Sequence, residues 1–533
     1  MTLALDDIPF DAVLLGNGDE PVPVDRHRTG LARLAEDGVE LLHGLRHAVL
    51  LRKELCGGAG GTVTVHGGIV NATGGNNKGT YYASIAYHKN DGISYGNGFD
   101  RFSVRVNADY QIAKRLKTGA RISGSFDRTK SNTATGSSFY NNPFHAMFSL
   151  FPWTPLKNPD GSYSQPAENA GINPRAFDEL NDYNEQEYRF NGTMFLEWKP
   201  IPQLTIKTNN SIDFNYNKSR MYDNPVVDPD GVSSLQTYAA DNRRLTTSNT
   251  INYADEFSGH SVHALVGQEA MLNNYEILGG YSPNVDPYIP YPTTSTSAQD
   301  QVLFGKSDES LLSFFGIFDY NYGRRYFLSA SVRGDGSSLF GRKTKWGLFW
   351  SASASWNIAN EPFMANASHA VSTLKLRGSY GVNGNNNIPA YLAYGVYTTG
   401  EYNGGGTMYP SRPANDELSW EKNKTWDIGL DFGFIDDRIT GTLDYYDRLT
   451  DDMLLSVQLP YTTGFSSAMR NVGSVSNKGV ELGISYSGNI GRDFTYSING
   501  NVSFNKNKVI ESMGGYDRTA EFGPTIQSAA NSV

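Results

Sequence analysis

Few residues in this sequence are spaced for covalent or metal chemistry. His260 and His263 lie three apart in a stretch of strand-like alternation. On a strand they point to opposite faces, so a shared metal ion is not expected. Asp436–Asp437 and Asp451–Asp452 are paired carboxylates, a type suited to acid–base work or calcium. The first pair sits in a short turn, where Asp is favoured anyway, and neither has the oxygen-rich spacing of an EF-hand loop. Asp228-Pro229-Asp230-Gly231 also reads as a turn. Arg333-Gly334-Asp335, within RGDGSS, is expected to be a turn at a strand end, with Gly334 and Gly336 permitting the reversal and Asp335 and Ser337 capping it. The glycine-rich run at residues 57–61 lacks the Lys-Ser/Thr ending and following helix of a phosphate loop, and reads as a flexible joint. Cys56 is the one cysteine, too few for a disulfide framework or a thiolate metal site. A serine nucleophile elbow and an HExxH pair are both lacking. No catalytic, cofactor-binding or metal-ligating residues are assigned, and an enzyme is not expected.

What remains is the chemistry of recognition. Tyr288, Tyr291, Tyr397, Tyr402 and Tyr409 fall in or near long connecting segments. Planar rings stack on the apolar face of a sugar, and the amides of Asn383 and Asn385 suit hydroxyl groups. The competing use of the same tyrosines is loop packing or anchoring at a membrane interface.

The elements that must position these residues are strands. The 533-residue chain has 32 Tyr and 56 Gly but only 19% charged residues, a balance that favours strands and turns over helices. The net charge of −10 argues against nucleic acid as a partner, since phosphate binding needs a basic face. From residue 62 onward the periodicity is two. Trp346, Leu348, Trp350, Ala352, Ala354 and Trp356 form one row, interleaved with Gly, Phe, Ser and Asn. Trp426, Ile428, Leu430, Phe432 and Phe434 form another, and Phe102, Val104, Val106, Ala108 and Tyr110 a third. Each strand therefore has one apolar and one polar face.

A soluble sandwich and a membrane barrel both give that pattern. Strands of roughly 10–13 residues exceed the usual five or six of globular sheets. Connections alternate between short turns, as at residues 113–115, 199–202, 322–324, 435–438 and 489–492, and long loops, as at 128–186, 217–243, 273–308, 382–422 and 451–477. Short turns on the periplasmic rim and long loops on the extracellular rim are how outer-membrane barrels are built. No stretch reaches the ~18 apolar residues of a spanning helix, which does not bear on a barrel. The expected fold is an all-β transmembrane antiparallel barrel of about sixteen strands.

Residues 1–61 read differently, with no Tyr and Asn17 as their only Asn. Leu31, Leu34, Val39, Leu41, Leu42, Leu45, Val49 and Leu51 predict a helix within residues 30–55. Two accounts stand: a small helical appendage, or a segment foreign to the body it precedes. The expected division is 1–61 as this atypical segment and 62–533 as the barrel.

Several stretches carry a family resemblance: LLSFFGIFDYNYGRRYFLSASVRGDGSSLFG from residue 311, WGLFWSASASWNIANEPFM from 346, LKLRGSYG from 374, LSWEKNKTWDIGLDFGF from 418, ITGTLDYYDRLTDDMLL from 439 and NVGSVSNKGVELGISY from 471. In this order and spacing the chain resembles SusC/RagA-type TonB-dependent outer-membrane transporters. The resemblance implies a barrel of roughly twenty-two strands filled by a plug. It implies a TonB box that takes energy from the TonB complex, a SusD-like surface lipoprotein as lid, and an oligosaccharide or peptide as cargo. It places the chain in the outer membrane, against lipid. It implies no cofactor.

Plug, TonB box and the final aromatic-ended strand are not recognised here, so about six strands are expected to be missing, and an open sheet leaves unpaired backbone groups at two edges, each group costing several kcal/mol in hydrocarbon. On that reading the chain does not insert alone. The alternatives are a surface binding protein without transport, and a gene fragment without function.

Overall fold

A computed structural model describes residues 48–56, 62–92, 96–131, 143–228, 230–296, 301–491 and 494–511. In chain order the strands are β1 (Ala48–Cys56), β2 (Thr62–Asn76), β3 (Gly79–Asp91), β4 (Gly98–Ala113), β5 (Leu116–Lys130), β6 (Asp182–Ile201), β7 (Leu204–Asp223), β8 (Ser234–Phe257), β9 (His260–Pro283) and β10 (Gln301–Tyr322). They continue with β11 (Tyr326–Ser337), β12 (Trp346–Asn357), β13 (Val371–Asn385), β14 (Val396–Tyr402), β15 (Gly405–Arg412), β16 (Glu421–Phe434), β17 (Ile439–Asp451), β18 (Leu454–Gln458), β19 (Ser467–Asn471), β20 (Ser474–Ile490) and β21 (Phe494–Glu511). Two short helices, α1 (Pro143–Ser149) and α2 (Pro174–Leu180), lie in the β5–β6 connection.

Seventeen strands form one antiparallel sheet, sixteen of them after residue 61. Each pairs with its sequence neighbour. The pairings β13–β16 and β17–β20 skip the small hairpins β14–β15 and β18–β19. Among the described residues β1 and β21 form the two edges of an open sheet.

The helix expected within residues 30–55 is corrected at its end. Ala48–Cys56 is a strand, in register with β2 from Ala48 opposite Val70 to Cys56 opposite Thr62. Backbone pairing to an adjacent strand overrides the helical spacing, which is only a weak local preference. Residues 30–47 and the joint at 57–61 lie outside the described residues.

The two faces differ as the period of two predicts. On β6, Tyr188, Phe190, Met194, Leu196 and Trp198 share one face and are exposed, with no protein covering them. Ten residues separate Tyr188 from Trp198, about 33 Å along a strand, or about 25 Å of depth at the usual tilt. That is the height of a barrel's apolar band, with an aromatic ring at each boundary. The opposite face of β6 carries Glu185, Glu187, Arg189, Asn191, Glu197 and Lys199.

Several strands run longer than expected. β7 has 20 residues and β8 and β9 have 24 each. Pairing continues beyond the apolar band, so the connections expected at 217–243 and 273–308 shrink to residues 224–233 and 284–300. Above the band polar and apolar residues mix on both faces, with Tyr222 and Leu235 packed on Val285, and strict alternation no longer marks the strand.

The short turns are tight. Ser258 and Gly259 join β8 to β9 with φ of 48° and 80°, the two left-handed residues of a type I′ hairpin turn. Ile435, Asp436 and Asp437 are all left-handed, with φ of 56°, 55° and 59°. The turn is tied by the His369 ring to Asp436 Oδ1 at 2.7 Å and by Ser372 Oγ donating to Asp437 Oδ1 at 2.6 Å.

RGDGSS is not a reversal. Arg333, Gly334, Asp335 and Gly336 continue β11, paired with β12 from Arg333 opposite Phe349 to Gly336 opposite Trp346. Gly336 lacks a side chain because the Trp346 ring lies where its Cβ would stand, 2.8 Å away. The reversal follows at Ser337, whose Oγ accepts from Leu339 N at 3.2 Å. At the DPDG stretch the turn is present, with Asp228 Oδ1 accepting from Asp230 N at 2.8 Å.

Candidate recognition surface and lumen wall

The polar face of the sheet is a charged wall with most ions paired across strands. Arg101 on β4 forks onto Asp127 on β5 through Nε at 2.8 Å and Nη2 at 2.6 Å. Asp109 takes Lys117 at 3.2 Å and Arg121 at 2.6 Å. Arg333 reaches Asp335 at 2.6 Å and Glu269 at 3.1 Å, and lies over the Phe315 ring. Arg377 on β13 gathers Asp427 at 3.0 Å and Asp431 at 3.2 Å on β16, and Asp444 on β17. One guanidinium carries five donors, so it serves three carboxylates where an ammonium would not fit as well.

Towards the short-turn rim this wall holds a trough of about 430 Å³, lined by His263, Asp319, Lys375, Arg377 and Asp427 among others. His263 meets Asp319 at 2.9 Å, and Ser329 Oγ donates to the same carboxylate at 2.6 Å. His260 faces the other way, hydrogen-bonded to Tyr320 at 2.8 Å and packed on Tyr322. The two histidines are split across the sheet, as their spacing requires. Asp451 and Asp452 are likewise separate ion pairs, with Lys424 at 2.9 Å and Lys422 at 3.0 Å.

The long-loop rim carries the expected tyrosines. Tyr288 is 94% exposed and Tyr291 60% exposed in the β9–β10 loop. Asp286 Oδ1 holds that loop by accepting from Tyr288 N at 2.8 Å. Tyr397, Tyr402 and Tyr409 stand on the β14–β15 hairpin. Tyr409 lies opposite Thr398 and over Gly400, so it shares a face with Tyr402, while Tyr397 is on the other face. Asn383 and Asn385 close β13 on its polar face. Asn385 Nδ2 donates to Glu421 at 3.1 Å, while Asn383 is exposed. Among the described residues no ring contact joins Tyr288 or Tyr291 to the hairpin tyrosines. Thus the structure places all seven at the rim without gathering them into one site.

Two features of the rim were not read from the sequence. The first is a packed knot of Phe340, Phe349, Ala393, Leu418 and Trp420, in which Trp420 meets Phe340 at 4.9 Å and Phe349 at 5.2 Å between ring centroids. Trp420 Nε1 donates to the Lys345 carbonyl at 3.0 Å. The second is a folded unit within the β5–β6 loop. Asn173 caps α2, accepting from Arg175 N at 3.0 Å and Ala176 N at 3.3 Å, and its Nδ2 donates to the Leu156 and Ser164 carbonyls. Pro174 follows at the first helical position, where its missing N–H is no loss. Ala176 and Phe177 pack on Val227 beneath.

That unit presents three rings outward: Phe148 at 89% and Trp153 at 77% exposed, with Phe151 stacked on Trp153 at 5.0 Å and 9° between planes. The signal was the aromatic-dense run from Phe148 to Trp153 in a long connection. In the same unit the Tyr163 hydroxyl, and then Arg175, hold the Glu179 carboxyl below the usual carboxylate range. The Thr154 hydroxyl does the same for Glu168.

A wall apolar towards lipid and charged within, with short turns on one rim and folded loops bearing exposed rings on the other, defines an outer-membrane barrel with a recognition rim. Residues 150–528 match the family described as TonB dependent receptor-like, beta-barrel, and the chain belongs to that family. It is 30% identical over 503 residues to the TonB-dependent receptor SusC of Bacteroides thetaiotaomicron, covering 85% of this chain and 47% of that protein. It is 29% identical over 474 residues to the TonB-dependent receptor P26 of Formosa agariphila, covering 86% of this chain and 47% of the relative. The chain thus spans about half the length of the curated relatives it matches. In structure it is similar to a chain of the RagAB peptide transporter, with a TM-score of 0.76 and 24% identity over 86% of this chain and 52% of that one. It also resembles the ferric citrate transporter FecA, with a TM-score of 0.52 and 7% identity over 87% of this chain and 59% of that one. The SusC/RagA resemblance read from the strands and the outer-membrane location hold.

Proposed function

We propose that this chain is the barrel wall of a TonB-powered importer that takes up oligosaccharides or short peptides beneath a SusD-like surface lipoprotein. The observation that carries the reading is the pairing of a charged lumen with a rim of exposed rings. Phe148, Phe151, Trp153, Tyr288 and Tyr291 offer flat apolar faces at the mouth, where a sugar ring or a peptide side chain stacks. Asn383 and the hydroxyl-rich trough supply hydrogen bonds further in. The relatives' names support the same class, since one similar structure is titled a peptide transporter and the similar SusC is named a TonB-dependent receptor. The chain has no role in covalent chemistry on this reading.

The test uses the full-length gene product with its neighbouring lipoprotein, and uptake of a panel of labelled oligosaccharides and peptides. Replacing Tyr288 and Tyr291 together with Ala is expected to weaken capture of the true cargo about thirtyfold, at about 1 kcal/mol per lost stacking contact. Unchanged affinity would remove these two from the binding surface. Uptake that continues without TonB would overturn the importer reading itself.

A further inference from the structure

The outer wall of β5–β7 carries a band of charge that the lumen and rim do not use. On the lipid-facing side, Phe126, Tyr188 and Tyr216 are in register across the three strands. Their ring centroids are 4.8 and 6.1 Å apart, so they form a continuous aromatic row. Aromatic rows of this kind mark the headgroup level of a membrane. One pleat further towards the long-loop rim, on the same face, Arg128, Gln186 and Lys218 are in register. One more pleat up come Lys130, Asn184 and Arg220. The Arg128 guanidinium lies 5.9 Å from the Phe126 ring centroid, which fixes it on the outer face. Pleats are about 7 Å apart along a strand and adjacent strands about 4.8 Å apart, so the cations fall within one headgroup's reach.

The charges here are not neutralised as they are elsewhere at this level. Around the rest of the wall each outer cation above the aromatic belt has a carboxylate beside it: Arg243 with Asp241 at 2.9 Å, Lys306 with Asp308 at 3.8 Å, Lys424 with Asp451 at 2.9 Å, and Lys478 with Asp447 at 2.7 Å. Among the described residues the exceptions outside this patch are Lys506 and Lys508, on the edge strand β21. Within the patch only Arg220 is satisfied, by Asp182 and by the Pro290 carbonyl at 3.2 Å. Arg128, Lys130 and Lys218 are exposed and form no ion pair among the described residues. Asp100 is opposite Arg128 on β4, but its carboxylate takes the Tyr87 hydroxyl at 3.2 Å instead.

We propose that Arg128, Lys130 and Lys218 form a binding site for the phosphate-bearing headgroup of an outer-leaflet lipid, with the Phe126–Tyr188–Tyr216 row against the lipid beneath it. The site needs only the outer-membrane placement of the barrel and is independent of what the importer carries. Phosphate oxygens take the place that carboxylates fill around the rest of the wall, and Gln186 and Asn184 between the cations add amide donors.

The experiment purifies the full-length protein from outer membranes in detergent and titrates it with diphosphoryl lipid A, read by native mass spectrometry. Dephosphorylated lipid A and inorganic phosphate are the other two probes. The wild type is expected to hold diphosphoryl lipid A. The triple variant R128Q/K130Q/K218Q is expected to hold it on the order of 100-fold more weakly, from three cations near a phosphate. The variant K424Q, at an ion-paired cation, is expected to leave binding unchanged. Equal binding by the triple variant, or by dephosphorylated lipid A, overturns the proposal. Inorganic phosphate binding as tightly as the lipid overturns it too, since the site would then hold a free anion. Heat-modifiable migration on gels reports folding. If the triple variant fails that check, the single variants K130Q and K218Q replace it, each with an expected loss of about fivefold.

Discussion

Two regions of the rim rise above the membrane in different ways. Across β7–β9 the strands simply continue as a hydrogen-bonded ladder, capped at its top by Tyr222, Leu235 and Val285 packed together. Around β11–β13 the strands stop sooner, at 12 to 15 residues, and the connections fold down into an apolar knot. The first region is held mainly by backbone pairing along the ladder, with only that small cluster at its end. The second is held by Phe340, Phe349, Leu418 and Trp420, buried together. Shape at the mouth of this barrel thus comes from regular pairing on one side and from side-chain packing on the other.

The largest expected effect breaks the packed side. Trp420→Ala removes the ring between Phe340 and Phe349 and is expected to cost about 3–5 kcal/mol locally. Limited proteolysis should then cut residues 338–345 and 386–420 while the barrel keeps its heat-modifiable migration. Arg243→Ala, on the extended wall, loses only an exposed ion pair, and protection there should change by about 0.5 kcal/mol or less. Equal loss of protection in the two variants would erase the contrast.

A middle effect concerns the unit in the β5–β6 loop, which combines both strategies. Asn173→Ala removes a helix cap and strands the Leu156 and Ser164 carbonyls, with an expected cost of about 1–3 kcal/mol. Hydrogen exchange should show α2 opening while β6 and β7 stay protected.

The smallest effect is a pH dependence in that same unit. Glu179 has a lowered pKa in the folded loop. Its contribution is therefore present above the ordinary carboxylate range and is lost as pH falls through the depressed value. Exchange protection of α2 should hold from neutral pH down to the usual carboxylate range and fall only below it. In Glu179→Gln the fall attributable to this group should vanish. A profile identical to wild type would assign the effect to other groups.

How much of this was legible follows the same division. Rows such as Trp346–Trp356 and Trp426–Phe434 announced lipid-facing strands because lipid on one side and water on the other force strict alternation. Once strict alternation lapses, as in the upper parts of β8 and β9 where polar and apolar residues mix on both faces, local composition does not separate strand from loop, and the expected loops are too long. RGDGSS was read as a reversal from its glycines, but the requirement at Gly336 is for room beneath Trp346, a contact between strands. The helix expected within residues 30–55 failed at residues 48–55 because pairing with β2 was not visible in local spacing. The rim tyrosines were identified from their place in long segments. What they touch depends on loop folding, which residues far apart in sequence decide.

The order of the sheet has a consequence for how such a mouth changes over time. Every strand pairs with a sequence neighbour or across one small hairpin, so altering a loop never alters which strands meet. Closing a chain segment costs entropy only as the logarithm of its length. The β5–β6 connection of residues 131–181 therefore costs about 2 kcal/mol more to close than the turn at 435–438. A barrel built this way tolerates wholesale replacement of its recognition loops at nearly constant expense to the wall, so selection can act on what is captured without renegotiating how the chain sits in the membrane.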